Sequence, residues 1–229
     1  MAKVGILGAM SSEIALLKER MSDRRETERA GRTFYEGKIS GADVVLVCCG
    51  VGKVNSALTC QMLIDWFGVD TVINIGVAGS GGEAKVRDIV VSTDALYHDL
   101  HGITPEDDIL ANSYPFVSSF AADPKLVQLA AEACRKQGVQ VYTGRIATGD
   151  QFVGSKAQKD DIVARTHPMA VEMEGGSIAH ACAINGVPFV IIRSISDNAD
   201  DGAEMSFETF EVLAANDAAE VVTTMLQNL

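Results

Sequence analysis

Seven short apolar runs rich in valine and isoleucine alternate along the chain with longer segments of helical period. No other feature restricts the fold as strongly, because this alternation is the signature of a mostly parallel sheet covered by helices. Strands are expected at residues 3–8, 43–49, 70–76, 88–93, 139–148, 169–173 and 188–196, with helices near 12–21, 53–67, 124–137, 174–185 and 206–228. Glycine, asparagine and proline punctuate "GKISGADV" and "ACAINGVPF", as turns require. In the second helix Val54, Leu58, Met62 and Trp66 fall four apart, an apolar stripe that reads as a core-facing surface. No repeat, linker or boundary interrupts the pattern. The expectation is an α/β fold with a mixed, mostly parallel central sheet flanked by helices, as one domain over 1–229. The least regular stretch, Asp99 to Ser119, reads as a binding loop or lid.

The chain carries 31 acids against 19 bases, a formal charge of −12. No basic stripe is available to displace counterions from a phosphate backbone, so nucleic acid and anionic membranes are excluded as expected partners. The five cysteines, at 48, 49, 60, 134 and 182, contain no C-x-x-C pair. Cys48 and Cys49 sit in "DVVLVCCGVG", where alternation sends them to opposite faces as small buried hydrophobes of a reducing compartment. "AKVGILGAM" imitates a short signal peptide, but Glu13 and an amphipathic segment follow at once without a cleavage site. No apolar run approaches the roughly twenty residues that span a bilayer. A cytoplasmic location is expected.

Three glycine-rich or histidine motifs fail on their surroundings. "GVGKVNS" at 50–56 has a Gly-Lys pair, but Val47 and Val54 stand where a P-loop needs glycine and a hydroxyl. "GSGGEA" at 79–84 follows a strand, yet leads into another strand rather than the helix a dinucleotide fold requires. His98 and His101 in "YHDLH" lack a third assured ligand, and no metal is expected; His167 and His180 are isolated and read as structural. "GVAGSGG" still offers small residues at a strand end against which a flat ligand can lie.

Three acids coincide in a more telling way. Glu13 follows the first strand by a short turn, Glu174 follows "MAVEM" and Asp197 follows "PFVIIRSIS". All stand at the carboxyl ends of expected parallel strands, where open α/β sheets bind ligands. Plainer roles exist for each: Glu13 and Glu174 as helix starts favoured by the dipole, Asp197 as one turn acid in "SDNADDG". Neither Ser11 nor Ser12 forms a capping box, since Ile14 and Ala15 lie three residues on. In "AVEMEGG", an extended backbone would put Glu172 and Glu174 on one face and Met173 on the other.

"VGILGAMSSEI", "GVGKVNSAL", "VINIGVAGSGG", "VRDIVVSTDALYHD", "TGDQF", "AVEMEGGSIAHACAINGVPFVIIRSISDNAD" and "SFETF" together resemble the bacterial 5′-methylthioadenosine/S-adenosylhomocysteine nucleosidases of the nucleoside-phosphorylase superfamily. The resemblance runs from residue 3 to about 210. It implies a nucleoside-phosphorylase-like fold, a homodimer, no cofactor, and hydrolysis of the bond between adenine and a 5′-thio-substituted ribose. It implies that Glu13 activates the attacking water and Asp197 protonates the departing purine. Glu174 would hold the ribose hydroxyls with Met173 against the sugar. Gly79 and Val153 would touch the base, Phe152 would stack on it, and Ser196 and Arg193 would support Asp197 and the water. Met10, Val77, Glu172 and Phe207 would take supporting places, with the purpose of a second acid at Glu172 left open.

The chemistry suits these residue types. Breaking an N-glycosidic bond builds positive charge on the sugar and negative charge on the purine, so a proton must reach the base as the bond stretches. Asp197 must then be a carboxyl of raised pKa, while Glu13 must be ionised, as base and acid are divided in inverting glycosidases. A phosphorylase would need cations around phosphate, whereas Glu13 is an anion in the first strand–helix turn, so water is the expected nucleophile. Other 5′-substituted nucleosides, such as 5′-deoxyadenosine or a futalosine type, remain alternatives, as does a nucleoside sensor without turnover. Two departures bear on specificity: Val77 stands where the family commonly has serine, and "LHGITPEDDILANSYPF" replaces a loop rich in Phe, Gly and Tyr that lines the 5′-pocket across a dimer interface. Pro115 and Phe116 are candidates to refill it.

Overall fold

The structure is a computed structural model in which residues 3–102 and 108–229 are described. Pro105, in the irregular segment, lies outside the described residues. In chain order the elements are β1 (Lys3–Gly8), α1 (Ser11–Arg20), β2 (Ser22–Arg29), β3 (Arg32–Ile39), β4 (Ala42–Cys48), α2 (Lys53–Phe67), β5 (Thr71–Ser80), β6 (Ile89–Tyr97), β7 (Phe120–Ala121), α3 (Pro124–Gln137), β8 (Val141–Thr148), α4 (Lys156–Thr166), β9 (Ala170–Glu172), α5 (Gly175–Asn185), β10 (Phe189–Asp197) and α6 (Ala203–Leu226).

Every residue of β5 and β10 is buried, as expected of strands covered on both faces. β5 pairs in parallel with β1 and β10, and β10 pairs antiparallel with β6. β8 links β6 to β9 in parallel, and β9 returns antiparallel to β5. The strands β5, β10, β6, β8 and β9 therefore close into a ring, from which β1, β4, β3 and β2 extend as an open limb. Alternation along β1 and β4 divides the core: Leu7, Val45 and Val47 face one apolar cluster, while Val4, Ile6, Val44 and Leu46 face the other. Cys48 and Cys49 do go to opposite clusters.

Helix ends follow local chemistry. Asp123 accepts the N–H groups of Lys125 and Leu126 at 2.9 and 3.0 Å, Pro124 opens α3, and Gly138 closes it in the left-handed region. The mixed α/β class matches expectation, but three parts of the reading need correction. The hairpin β2–β3, turning at Ala30 and Gly31 with positive φ, was not anticipated, nor were β7 and α4. The β9 strand runs antiparallel to β5, so Glu174 does not stand at the end of a strand parallel to those that precede Glu13 and end at Asp197. The stripe on α2 is not core: Val54 is 70%, Leu58 52% and Trp66 36% exposed, and the helix buries Ser56, Thr59, Cys60 and Leu63 instead. Cys60 meets Cys182 of α5 there, sulfurs 3.7 Å apart.

Candidate active site

A cavity of about 720 Å³, counted to its open mouth, lies at the ends of β5 and β10 beside the start of α1. Met10, Glu13, Val77, Gly79, Phe152, Val153, Glu172, Met173, Glu174, Ser196, Asp197 and Phe207 all border it, joined by Ala9, Val51, Ala78, Gln151 and Val171, which sequence reading passed over. Val51 and Gln151 sit beside the quoted motifs "GVGK" and "TGDQF", so adjacency could have found them; Ala9, Ala78 and Val171 carry no signal beyond strand ends. Arg193 is the one expected site residue that stands behind the wall, fully buried. No lysine, arginine or histidine is among the described lining residues.

Glu13 is placed by the turn from β1 into α1. Met10 is the N-cap of that helix and Glu13 its third residue, so the carboxylate turns back on the backbone: Oε2 accepts the N–H groups of Ala9 and Met10 at 2.6 and 3.0 Å. The plain helix-start role and the site role thus coincide in one side chain. Oε1 accepts the Val77 N–H of β5 at 2.9 Å. Burial pushes the Glu13 carboxyl above its ordinary value, opposed by Arg193 and by the three N–H donors. Space for this arrangement comes from Gly76, where a Cβ would overlap the Arg193 guanidinium and the Glu13 carboxylate.

Glu174 opposes it. The strand ends at Glu172, so simple alternation no longer governs, and Glu172, Met173 and Glu174 all border the same cavity. Glu174 Oε1 accepts the Gly52 N–H at 2.9 Å, and Oε2 lies 3.6 Å from Arg193 Nη2. The Gly-Lys loop thus presents its backbone donor to a carboxylate of the protein rather than to phosphate. Burial raises the Glu174 carboxyl, and the like charge of Glu172 raises it further. Lys53, the residue after Gly52, donates to both oxygens of Asp99 at 2.7 and 2.8 Å.

Asp197 ends β10. Its Oδ1 accepts the Ala199 N–H at 2.8 Å and its Oδ2 the Ser196 hydroxyl at 2.8 Å. Burial pushes this carboxyl up, Ser196 and Ala199 draw it back, and Asp200 adds like charge. A Cβ at Gly79 would stand 2.9 Å from Oδ1, which ties that glycine to access along β5. The missed helix α4 holds the following turn, with Lys159 Nζ donating to the Asn198 carbonyl at 2.7 Å. Phe152 and Phe207 meet edge to face at 5.9 Å across the apolar side.

His98 is buried and His101 exposed, and among the described residues no group of His, Cys, Asp and Glu is arranged to hold a metal. Pro115 and Phe116 do not border the cavity of their own chain; Phe116 is exposed, edge to face with Tyr114.

A family model described as the phosphorylase superfamily matches residues 3–227. The 5′-methylthioadenosine/S-adenosylhomocysteine nucleosidase of Haemophilus influenzae is 41% identical over 235 residues, covering 99% of this chain and 100% of the relative. The crystal structure of the nucleosidase of that name from Colwellia psychrerythraea, in complex with adenine, is similar with a TM-score of 0.93 at 40% identity, over 100% of this chain and 96% of that one. The Neisseria meningitidis nucleosidase in complex with methylthio-immucillin-A gives 0.92 at 36% identity, over 100% of both chains. The chain belongs to this nucleosidase family within the phosphorylase superfamily.

Proposed function

We propose that the protein hydrolyses the N-glycosidic bond of 5′-methylthioadenosine and S-adenosylhomocysteine, releasing adenine and the 5′-thioribose. The observation that carries this is the cavity wall itself, which offers Glu13, Glu174 and Asp197 and no cationic side chain among its described residues. Phosphate would meet these carboxyls and that of Glu172, four in all, whereas water needs a base.

Glu13, when ionised, takes a proton from the attacking water, held in line by the Ala9, Met10 and Val77 N–H groups. Asp197, its carboxyl pushed up by burial, is the acid that gives a proton to the purine as the bond breaks. Glu174 accepts hydrogen bonds from the ribose hydroxyls, and negative charge in that wall favours a sugar that becomes cationic. Met173 lies under the sugar, Phe152 stacks on adenine, and Gly79 and the Val153 backbone meet its edge. Arg193, standing behind Glu13 and Glu174, acts on the water through them rather than beside it. The reaction proceeds without a cofactor or metal.

The protein acts as a single domain, in the cytoplasm, as a homodimer. The exposed stripe of α2, Val54, Leu58 and Trp66, with Ile184 of α5, supports the pairing of two copies. Unpaired cysteines accord with a reducing compartment.

Adenine release from 5′-methylthioadenosine in phosphate-free buffer tests the activity. Turnover without phosphate is expected, and strict phosphate dependence overturns hydrolysis. Tight nucleoside binding with no product would mean a sensor. A panel of 5′-substituted adenosines, including 5′-deoxyadenosine and a futalosine-type nucleoside, reads the preferred substituent.

A further inference from the structure

Arg193 is the single cation among three buried carboxylates, Glu13, Glu172 and Glu174, and its bonds are unevenly divided. Nη2 donates to Glu172 Oε2 and, at 2.8 Å, to Asn74 Oδ1, whereas Nε and Nη1 are buried without a partner. Glu172 is engaged on every side. Oε2 also accepts the N–H groups of Glu174 and Gly175 at 3.0 and 2.7 Å, and Oε1 accepts the Thr148 hydroxyl. Thr148 in turn accepts the Gly176 N–H at 2.6 Å. A Cβ at Gly175 would stand 3.2 Å from both Glu172 oxygens, and one at Gly176 2.9 Å from Thr148. The two glycines of "AVEMEGG" therefore bring the start of α5 onto Glu172 and Thr148.

The geometry points to Glu172 as a positioning residue: fixed by Thr148 and the first N–H groups of α5, it is the hydrogen-bonded counter-charge of Arg193, so that Glu174, 3.6 Å from the guanidinium, and Glu13 are only partly matched and stay available to sugar and water. This rests on the hydrolytic reading of the cavity and gives its second acid a task. Four donors around this buried carboxyl fix it against Nη2, and a residue without its charge there would release the arginine toward its other neighbours. Burial pushes the Glu13 and Glu174 carboxyls up, the like charge of Glu172 adds to this at Glu174, and Arg193 opposes it at both, so a freer arginine would oppose it further. The other titratable groups facing the cluster are Cys48 and Cys49, whose thiols burial pushes up, and Tyr97 and His98 of the β6 side, whose hydroxyl burial pushes up and whose imidazole burial pushes down. Asp197 answers to a separate set, Ser196, Ala199, Asp200 and Lys159.

The test is Glu172→Gln, which keeps shape and acceptor oxygen but removes charge. With the arginine freed, Glu13 loses protons more easily, so the ascending limb of kcat/KM against pH moves to lower pH by on the order of one unit, while the descending limb set by Asp197 stays. Asn74→Asp adds a carboxylate against Nη2 and should move the ascending limb the opposite way. A uniform fall of kcat/KM at all pH values, or displacement of both variants in one direction, overturns the assignment. Melting temperature against pH reads the same proton without turnover: the loss of stability between pH 5 and 8 should flatten in Glu172→Gln and steepen in Asn74→Asp, and an unchanged slope in either also overturns it. Wild-type protein that releases no adenine would sink the hydrolytic reading alone, leaving the melting comparison to decide this one.

Discussion

The backbone N–H of Gly52 donates to Glu174 Oε1 across 2.9 Å, so the loop between β4 and α2 fixes an acid more than a hundred residues further along the chain. Gly52 has φ of 96° and ψ of 163°, a conformation open essentially to glycine, and a Cβ there would stand 3.0 Å from Asp150 Oδ1. Gly52→Ala is expected to cost about 1–3 kcal/mol of stability and to raise KM for the nucleoside by disturbing Glu174. Thermal unfolding and steady-state adenine release measure both; unchanged KM would detach the loop from substrate binding.

Asp197→Asn removes the proton that the purine requires while keeping the acceptor for the Ala199 N–H. The expected fall in kcat is roughly 10²- to 10⁴-fold, with nucleoside binding retained. Single-turnover measurements beside equilibrium binding separate the two. Wild-type kcat in the variant would remove Asp197 from the acid role.

Glu174 is raised from an ordinary value of 4.5, so through the interval above that value the folded protein binds more protons than the unfolded chain. Its contribution to stability is full below 4.5 and is lost as pH rises through the folded value. Glu174→Gln should therefore be more stable than wild type at pH 8, by about 1–2 kcal/mol, with the difference shrinking toward pH 5. His98 and His180, depressed by burial, act in the opposite sense as pH falls below 6.5, but equally in both proteins. Denaturant melts at the two pH values check the sign.

Leu58→Asp places a charge in the exposed stripe of α2. On an isolated chain a surface change of this kind alters stability by roughly half a kcal/mol at most. In a dimer built on that face it buries an unpaired carboxylate and separates the subunits. Sedimentation of the variant beside wild type is expected to show monomer against dimer.

The strands of the ring were legible because β5 and β10 must be apolar on both faces, and the acids at their ends followed from chain position. β2, "SDRRETER", was not, since it lies at the sheet's margin with nearly every side chain in solvent and carries no alternation to read. The polar helix α4, "KAQKDDIVART", buries only Ile162 and Thr166, too little for a period to appear. The α2 stripe misled for the converse reason: periodicity reports that a face is apolar, not whether this chain or another copy covers it. Glu172 was recognisable as an acid near the site, but its meaning lay in Thr148, Asn74 and Arg193, brought to it from three other strands.

Closing the ring leaves the sheet a single long free margin, and there β2 sets Arg24, Arg25, Glu26, Glu28 and Arg29 in a row. Charges of both signs along such a margin discourage a second chain from adding its own strand to the ladder. Growth of crowded molecules by strand-on-strand hydrogen bonding is thereby disfavoured at the one long margin of the described sheet.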